Sequence, residues 1–292
     1  MAMEFWFFLA ALSVFFWGLA MALAKISTPK LGIARVACLI SPIEGAMYFA
    51  GYISFRGSVA VSMEYGALGL ASAFVGMIAY ICFYESMVDG QVAVVGTISA
   101  AYPAVTVIGA LVFLSETLTK SQALGLVAVM LGILALSYGQ SPNPQHTIPK
   151  RSLFFALLAF LLWGFWSLTA KIAVSNIGPG NVFGCYVISS LTIPLVYLML
   201  RKPKPGLMTS EKPSRTLWAA GAGGVALNVV GTLTFGFALS MGQASLVVPI
   251  SSAYPLVTVA IAILVLGEKL NRLQTIALAF VLIGLITLGI TS

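Results

Sequence analysis

Ten stretches of about 20 predominantly apolar residues follow one another along the chain, at 4–25, 31–55, 65–87, 91–114, 121–138, 152–174, 181–200, 216–240, 244–266 and 273–290. A bilayer core of about 30 Å needs roughly 20 apolar residues of helix to cross it. In lipid, every backbone polar group must be satisfied within the spanning structure, which leaves only helices and closed barrels. Barrel strands read as short alternating segments, whereas these runs are long and continuous. Hydrophobic residues make up 60% of the chain and charged residues 8%, against about 25% charged in a soluble domain. The expected fold class is therefore an all-α polytopic membrane protein with ten transmembrane helices. The fifth and tenth runs are short, at about 18 residues, and call for less tilt. The first run carries Glu4 near its start and no basic segment before it, so it reads as a span rather than a signal peptide.

The runs repeat. At an offset of 152, residues 90–137 and 242–289 agree at 20 of 48 positions, including Ala101–Pro103 with Ala253–Pro255 and Glu116 with Glu268. At an offset of 146, residues 8–26 and 154–172 agree at 8 of 19, including Trp17-Gly18 with Trp163-Gly164 and Ala24–Ile26 with Ala170–Ile172. Apolar composition alone does not produce Trp-Gly, Tyr-Pro, Glu and Lys in one order twice. The chain thus divides into a first five-helix unit at 1–138, a Pro/Asn/Ser-rich linker at 139–151 and a second unit at 152–292. Five is odd, so the second unit enters the membrane from the opposite face. Two halves related by a two-fold axis in the membrane plane are the architecture of alternating-access carriers.

The motifs carry a resemblance. The "WG…AK" opening of each half, the twice-written G-Q-x-x-x-V-x-x-I-S-x-A-Y-P and the L-x-E-x-L-x-x-x-Q that follows resemble the drug/metabolite transporter superfamily, specifically its EamA-type ten-span members. The resemblance covers nearly the whole chain. It implies a transporter rather than an enzyme, with both termini cytoplasmic. Such transporters carry amino acids, metabolites, nucleotide derivatives or drugs, many of them outward. It identifies the scaffold and says little about the cargo.

The repeated residues have structural and functional readings side by side. Thr119 with Gln122, and Asn271 with Gln274, are spaced to cap the fifth and tenth helices. Glu116 and Glu268 sit before helix N-termini, where a carboxylate is favoured; a gating contact is the alternative. Pro103 and Pro255 each free a backbone carbonyl within a helix. Ser99, Ser251 and Ser252 lie one turn before them, and Tyr102 and Tyr254 immediately precede them. A helix broken near mid-membrane exposes polar backbone that lines a substrate path; close packing of small residues is the other reading. Pro249 has only Thr97 as its counterpart, so the ninth helix should bend more than the fourth. Lys25 and Lys171 end the first helix of each half, where a lysine snorkels to headgroups or touches a substrate or gate. Trp17 and Trp163 are deeper than an interfacial belt requires. With Trp166, Tyr80 and Tyr84 at helical spacing, they suggest a central cavity with aromatic walls. Asn228 is a polar residue in an apolar run, a cavity ligand or a link between helices.

Ionisable residues within the spans are few. Glu44 lies mid-span, two residues after Pro42, and the second half has no charged equivalent. A carboxylate there protonates, pairs or faces water, which makes Glu44 the first candidate for proton coupling and Glu85 the second. Either carboxylate could instead hold a substrate amine. No arginine or lysine falls at mid-depth, where a carrier of phosphate esters would want a cationic clamp. The expected cargo is a small neutral, zwitterionic or weakly cationic metabolite such as an amino acid, moved by a secondary transporter, an exporter with proton coupling; a facilitative carrier or a channel is the alternative. No Gly-rich phosphate loop is written, so no nucleotide and no other cofactor is expected. Cys38, Cys82 and Cys185 read as small core residues and His146 as a solvated loop residue, with no metal site.

The partners expected are a small-molecule substrate and membrane lipid, with no nucleic acid, in a multi-pass protein of the cell's inner or plasma membrane, as monomer or homodimer. Naming the side of the N-terminus side one, its loops hold Arg56, Lys120 and Lys171, against twelve basic residues on side two. By the positive-inside rule side two is cytoplasmic. The resemblance implies the reverse, and the two expectations conflict.

Overall fold

The computed structural model describes residues 2–57, 61–89, 98–139, 149–200, 213–266 and 271–291. All regular structure among them is helical: α1 Ala2–Leu31, α2 Ile33–Phe55, α3 Met63–Asp89, α4 Pro103–Phe113, α5 Lys120–Gly139, α6 Lys150–Leu200, α7 Arg215–Met241, α8 Ala244–Ser251, α9 Pro255–Leu266 and α10 Arg272–Thr291. Their outward faces carry Phe8, Phe15, Leu124, Phe154, Leu161 and Ile283, apolar surface at no cost in a lipid solvent.

Two glycines do the work that loops were expected to do. Spans one and two meet at Gly32 alone, and spans six and seven at Gly178 inside α6. At 51 residues α6 would be about 75 Å long if straight, far more than one crossing needs. Gly178 divides it with φ 77° and ψ 154°, and Gly32 has the same pair of angles. Only glycine tolerates that region without strain. The hydrogen-bond ladder runs on across the turn, with Gly32 N–H donating to Thr28 O at 2.9 Å and Val36 N–H to Gly32 O at 3.2 Å.

Spans four and nine are broken rather than bent. Pro103 and Pro255 are the first residues of α4 and α9, where a missing N–H costs nothing. The chain turns at 101–102 and at 252–254. The ninth span therefore breaks at residues 252–254 while Pro249 stays inside α8, so Pro249 does not set the bend. Thr97, Glu268 and His146 lie outside the described residues.

The packing is two-fold. α1 lies along α7 and α3 along α6; α5 packs on α10, α4 on α8, and α2 on the second arm of α6. Exchanging the halves maps the first two pairs onto each other, and α5 with α10 and α2 with the second arm of α6 onto themselves. Close approaches obey the same rule. Gly18 sits against the Tyr254 carbonyl and Val257, and Gly164 against the Tyr102 carbonyl and Val105. The Trp-Gly motif of each half thus fits the break of the other half's proline span. The Thr258 hydroxyl donates to Gly18 O at 3.2 Å and the Thr106 hydroxyl to Gly164 O at 3.4 Å. The capping pairs form as expected. Thr119 N–H donates to Gln122 Oε1 at 2.9 Å and Gln122 N–H to Thr119 Oγ1 at 3.2 Å; Asn271 and Gln274 do the same at 2.9 and 2.8 Å. The fold is an all-α polytopic membrane protein of ten crossings in two inverted five-helix repeats.

Candidate functional site

The repeat symmetry builds an aromatic frame at the centre of the bundle. Trp17 of α1 meets Phe235 of α7 with ring centroids 5.1 Å apart and planes at 45°. Trp163 of α6 meets Phe83 of α3 at 5.1 Å and 46°. Tyr254 lies edge-on to Trp17 at 6.4 Å and Tyr102 tilts toward Trp163 at 5.9 Å. At the repeat offsets these are the same two contacts made twice. Between the two sets lies a cavity of about 110 Å³, of the order of the roughly 150 Å³ that encloses benzene in an apolar core.

Its walls bring together Trp17, Tyr80, Tyr102, Trp163, Trp166, Asn228, Tyr254 and Glu44 from the residues singled out by sequence. Glu44 is 1% exposed overall, yet it lines the cavity, as does Asn228. Trp17 Nε1 donates to Asn228 O at 3.2 Å and Thr232 Oγ1 at 3.4 Å, and Trp166 Nε1 donates to the Tyr186 hydroxyl at 3.0 Å. Among the described residues the Trp163 indole makes ring and apolar contacts and no hydrogen bond.

Five site residues fall elsewhere. Tyr84 lines a small side chamber with Ser27, Thr28 and Gly224, toward side two, and shares a 3.0 Å hydroxyl contact with Tyr80. Ser99, Ser251 and Ser252 are fully buried and are not part of this cavity's wall. Ser99 donates to Ala156 O at 3.3 Å, and Ser252 to Pro249 O at 2.7 Å. The helix breaks turn these serines into helix packing while the adjacent tyrosines face inward. Glu85 is also outside the cavity: it pairs with Arg151 and accepts a hydrogen bond from the Tyr197 hydroxyl. Both carboxylate oxygens are thereby occupied in tying α3 to the two arms of α6 at side two.

The cavity is closed toward side one. Phe235 stacks on Trp166 at 5.3 Å as well as meeting Trp17, and Phe183, Phe237 and Phe55 follow in T-shaped contacts. Beyond them, Lys171 Nζ donates to Leu239 O at 2.8 Å and Gly242 O at 2.9 Å. Glu116 accepts from the N–H groups of Ala244 and Ser245, each at 2.8 Å. A cation thus caps the end of α7 and an anion the start of α8, the favourable polarity at both termini. Lys171 is neither snorkelling nor in the cavity, and Glu116 serves a helix of the other half rather than its own neighbour. Toward side two the walls continue through Met21, Met77 and Tyr80 into the side chamber.

Sequence reasoning missed Tyr48, Phe83, Tyr186, Thr232 and Phe235. Tyr48 and Tyr186 face each other at 5.3 Å across α2 and the second arm of α6. Polarity offers no signal for them, because an apolar helix in lipid shows no contrast between its inner and outer faces. Cys38, expected in the core, faces outward; Cys82 is buried and Cys185 partly so.

Comparison with known proteins agrees with this fold. A solved crystal structure superposes with a TM-score of 0.78, covering 97% of this chain and 95% of its own at 17% identity, which establishes the shared fold. An uncharacterized protein of Methanocaldococcus jannaschii, MJ1333.1, is 32% identical over 141 residues, 48% of this chain and 98% of the relative. The EamA-like transporter family matches residues 4–138 and again 150–290. With nearly the whole chain accounted for by two copies of that unit, the protein is a membrane transporter of the drug/metabolite type and belongs to the EamA-like transporter family.

Proposed function

We propose that the chain is a secondary carrier that moves a small organic solute across the cell's inner or plasma membrane by alternating access, outward and against a proton. The observation that carries this reading is one cavity at the centre of the bundle, built jointly by both halves, with the ring contacts of Phe235, Phe183, Phe237 and Phe55 stacked on its side-one end. Inverted halves can reach a second state by exchanging conformations, with the seal moved to side two and the same cavity opened to side one. The Trp-Gly contacts with the proline breaks supply the joints: each half grips the other at the point where its backbone is interrupted. Glu44 is the proton site of this reading, as the carboxylate of the cavity wall. Glu85, already paired at the side-two edge, is not.

Counterflow in proteoliposomes tests the carrier. Vesicles preloaded with a solute should take up the labelled solute transiently above equilibrium, with saturation. Fast, unsaturable flux would make the protein a channel and end this reading. Uptake that is saturable yet indifferent to pH would keep the carrier and remove the proton.

A further inference from the structure

The cavity holds two kinds of residue, and the repeat separates them. Trp17, Phe235 and Tyr254 recur as Trp163, Phe83 and Tyr102 at the repeat offsets. They belong to the scaffold, since both halves need them to hold the proline breaks. Twelve of the seventeen wall residues depart from their twins, and six of these carry an aromatic ring, an acid or an amide that the twin lacks. Glu44, Tyr48, Trp166 and Tyr186 stand where the other half has Ser190, Pro194, Ala20 and Ile40, at an offset of 146. Tyr80 and Asn228 stand opposite Thr232 and Gly76, at an offset of 152. A position that departs from its twin is not demanded by the inverted fold. All six converge on one cavity, and their chemistry is of one kind: four aromatic rings, one carboxylic acid and one amide.

Part of the donor capacity of the wall is already used. Trp166 gives its N–H to Tyr186, Tyr80 and Tyr84 share a hydroxyl contact, and the scaffold's Trp17 bonds within the protein. Among the described lining residues there is no lysine, arginine or histidine. A carboxylate or phosphate on the cargo would face the Glu44 carboxyl and find only neutral donors to receive it: the Asn228 amide, the Trp163 N–H and tyrosine hydroxyls. What the cavity offers in surplus is one acid and the negative faces of aromatic rings, which attract a desolvated cation.

We propose, resting on the carrier reading above, that the cargo is a small organic monocation: a quaternary or alkyl ammonium, or a delocalised cation of similar bulk, with no acidic group. Glu44 supplies the counter-charge, and Tyr48, Tyr80, Trp166 and Tyr186 supply the cage. The expected amino-acid cargo, with its carboxylate, is thereby disfavoured.

Three probes of one shape test it: choline, its neutral isostere 3,3-dimethylbutan-1-ol, and betaine, in which the same trimethylammonium head carries a carboxylate. Each is titrated into the purified full chain in detergent, followed by tryptophan fluorescence and by thermal stability, which a ligand of the folded state raises. Choline should bind at least about tenfold more tightly than the isostere, as expected of a desolvated cation–aromatic contact, and more tightly than betaine. Glu44→Gln should erase the preference for choline over the isostere while leaving the isostere's own affinity in place. Glu85→Gln, which lies outside the cavity, should keep that preference, which controls for altered folding. The proposal is overturned if betaine or the isostere binds as well as choline, or if choline fails to bind the wild type. Cation binding without counterflow would leave the cage standing and remove the carrier. Saturable counterflow of an uncharged or acidic solute, without cation binding, would do the reverse.

Discussion

The Glu116 carboxylate and the Ala244 backbone N–H lie 2.8 Å apart, joining the end of the first half's proline span to the start of the second half's. Glu116 also takes the N–H of Ser245, while Lys171 takes two carbonyls at the end of α7. The turn at Gly242 and Gln243 is thus held from both sides by opposite charges. Hydrogen bonds to charged groups contribute about 1.5–3 kcal/mol each. Glu116→Gln and Lys171→Met should each lower unfolding stability by about 1–3 kcal/mol. Because both act on one turn, the double variant should lose less than the sum. Reversible denaturation in mixed micelles reads all three, and simple additivity would mean the two side chains do not share the junction.

The two glycine turns give a sharper test. Gly178 has open space around it, so a methyl group there meets no neighbour. Any loss in Gly178→Ala comes from φ at 77°, a conformation that costs about 1–3 kcal/mol outside glycine. Gly32→Ala should cost a similar amount, since its angles are the same. Gly180→Ala should cost more: its added carbon would run into the Phe55 carbonyl, a backbone atom with no freedom to move aside. Thermal melting of the three variants checks the order. A Gly178→Ala protein as stable as wild type would show that the turn relaxes and that the two arms of α6 are not fixed by this residue.

Much of this was legible in the sequence, because it was written twice. Trp-Gly, Tyr-Pro and the capping pairs recur in order, and the structure uses each recurrence in a matching place. What was not legible depends on contacts between distant residues. Glu85 finds Arg151 and Tyr197, 66 and 112 residues away, and Glu116 reaches 128 residues along the chain. No local pattern announces such partners. The serines at the breaks failed for a different reason: a broken helix does not reveal which of its faces turns inward. Tyr48 and Tyr186 escaped because their helices are apolar on every side, so neither period nor polarity marks the inner face.

Glu85 should prove structural. Its partner Arg151 keeps 43% of its side chain in contact with solvent, so losing the pair leaves a cation that water can receive, and exposed pairs contribute about 0–1 kcal/mol. Glu85→Gln retains an acceptor for the Tyr197 hydroxyl. Its stability should fall by about 1 kcal/mol, with choline affinity unchanged in the fluorescence titration. A tenfold loss of cation affinity in Glu85→Gln would instead place this carboxylate on the cargo's path.

Glu44 should behave in the opposite way, because the proposed proton and the proposed cation use one carboxylate. A protonated Glu44 has no charge to offer the cage, so acidifying one face releases cargo there and leaves the acid loaded with a proton for the return. A carrier built this way exchanges cation for proton without a second site, and a pH gradient drives uphill movement. The measurement is uptake of labelled choline into proteoliposomes under an imposed pH jump, acid inside. Wild type should accumulate choline only while the gradient lasts. Glu44→Gln should lose that accumulation entirely, while still equilibrating choline down its own gradient at raised concentration, since the aromatic rings remain. If Glu44→Gln concentrates choline as well as wild type does, the proton binds elsewhere. If wild type ignores the gradient, Glu44 serves only as the cation's counter-charge and the carrier is facilitative.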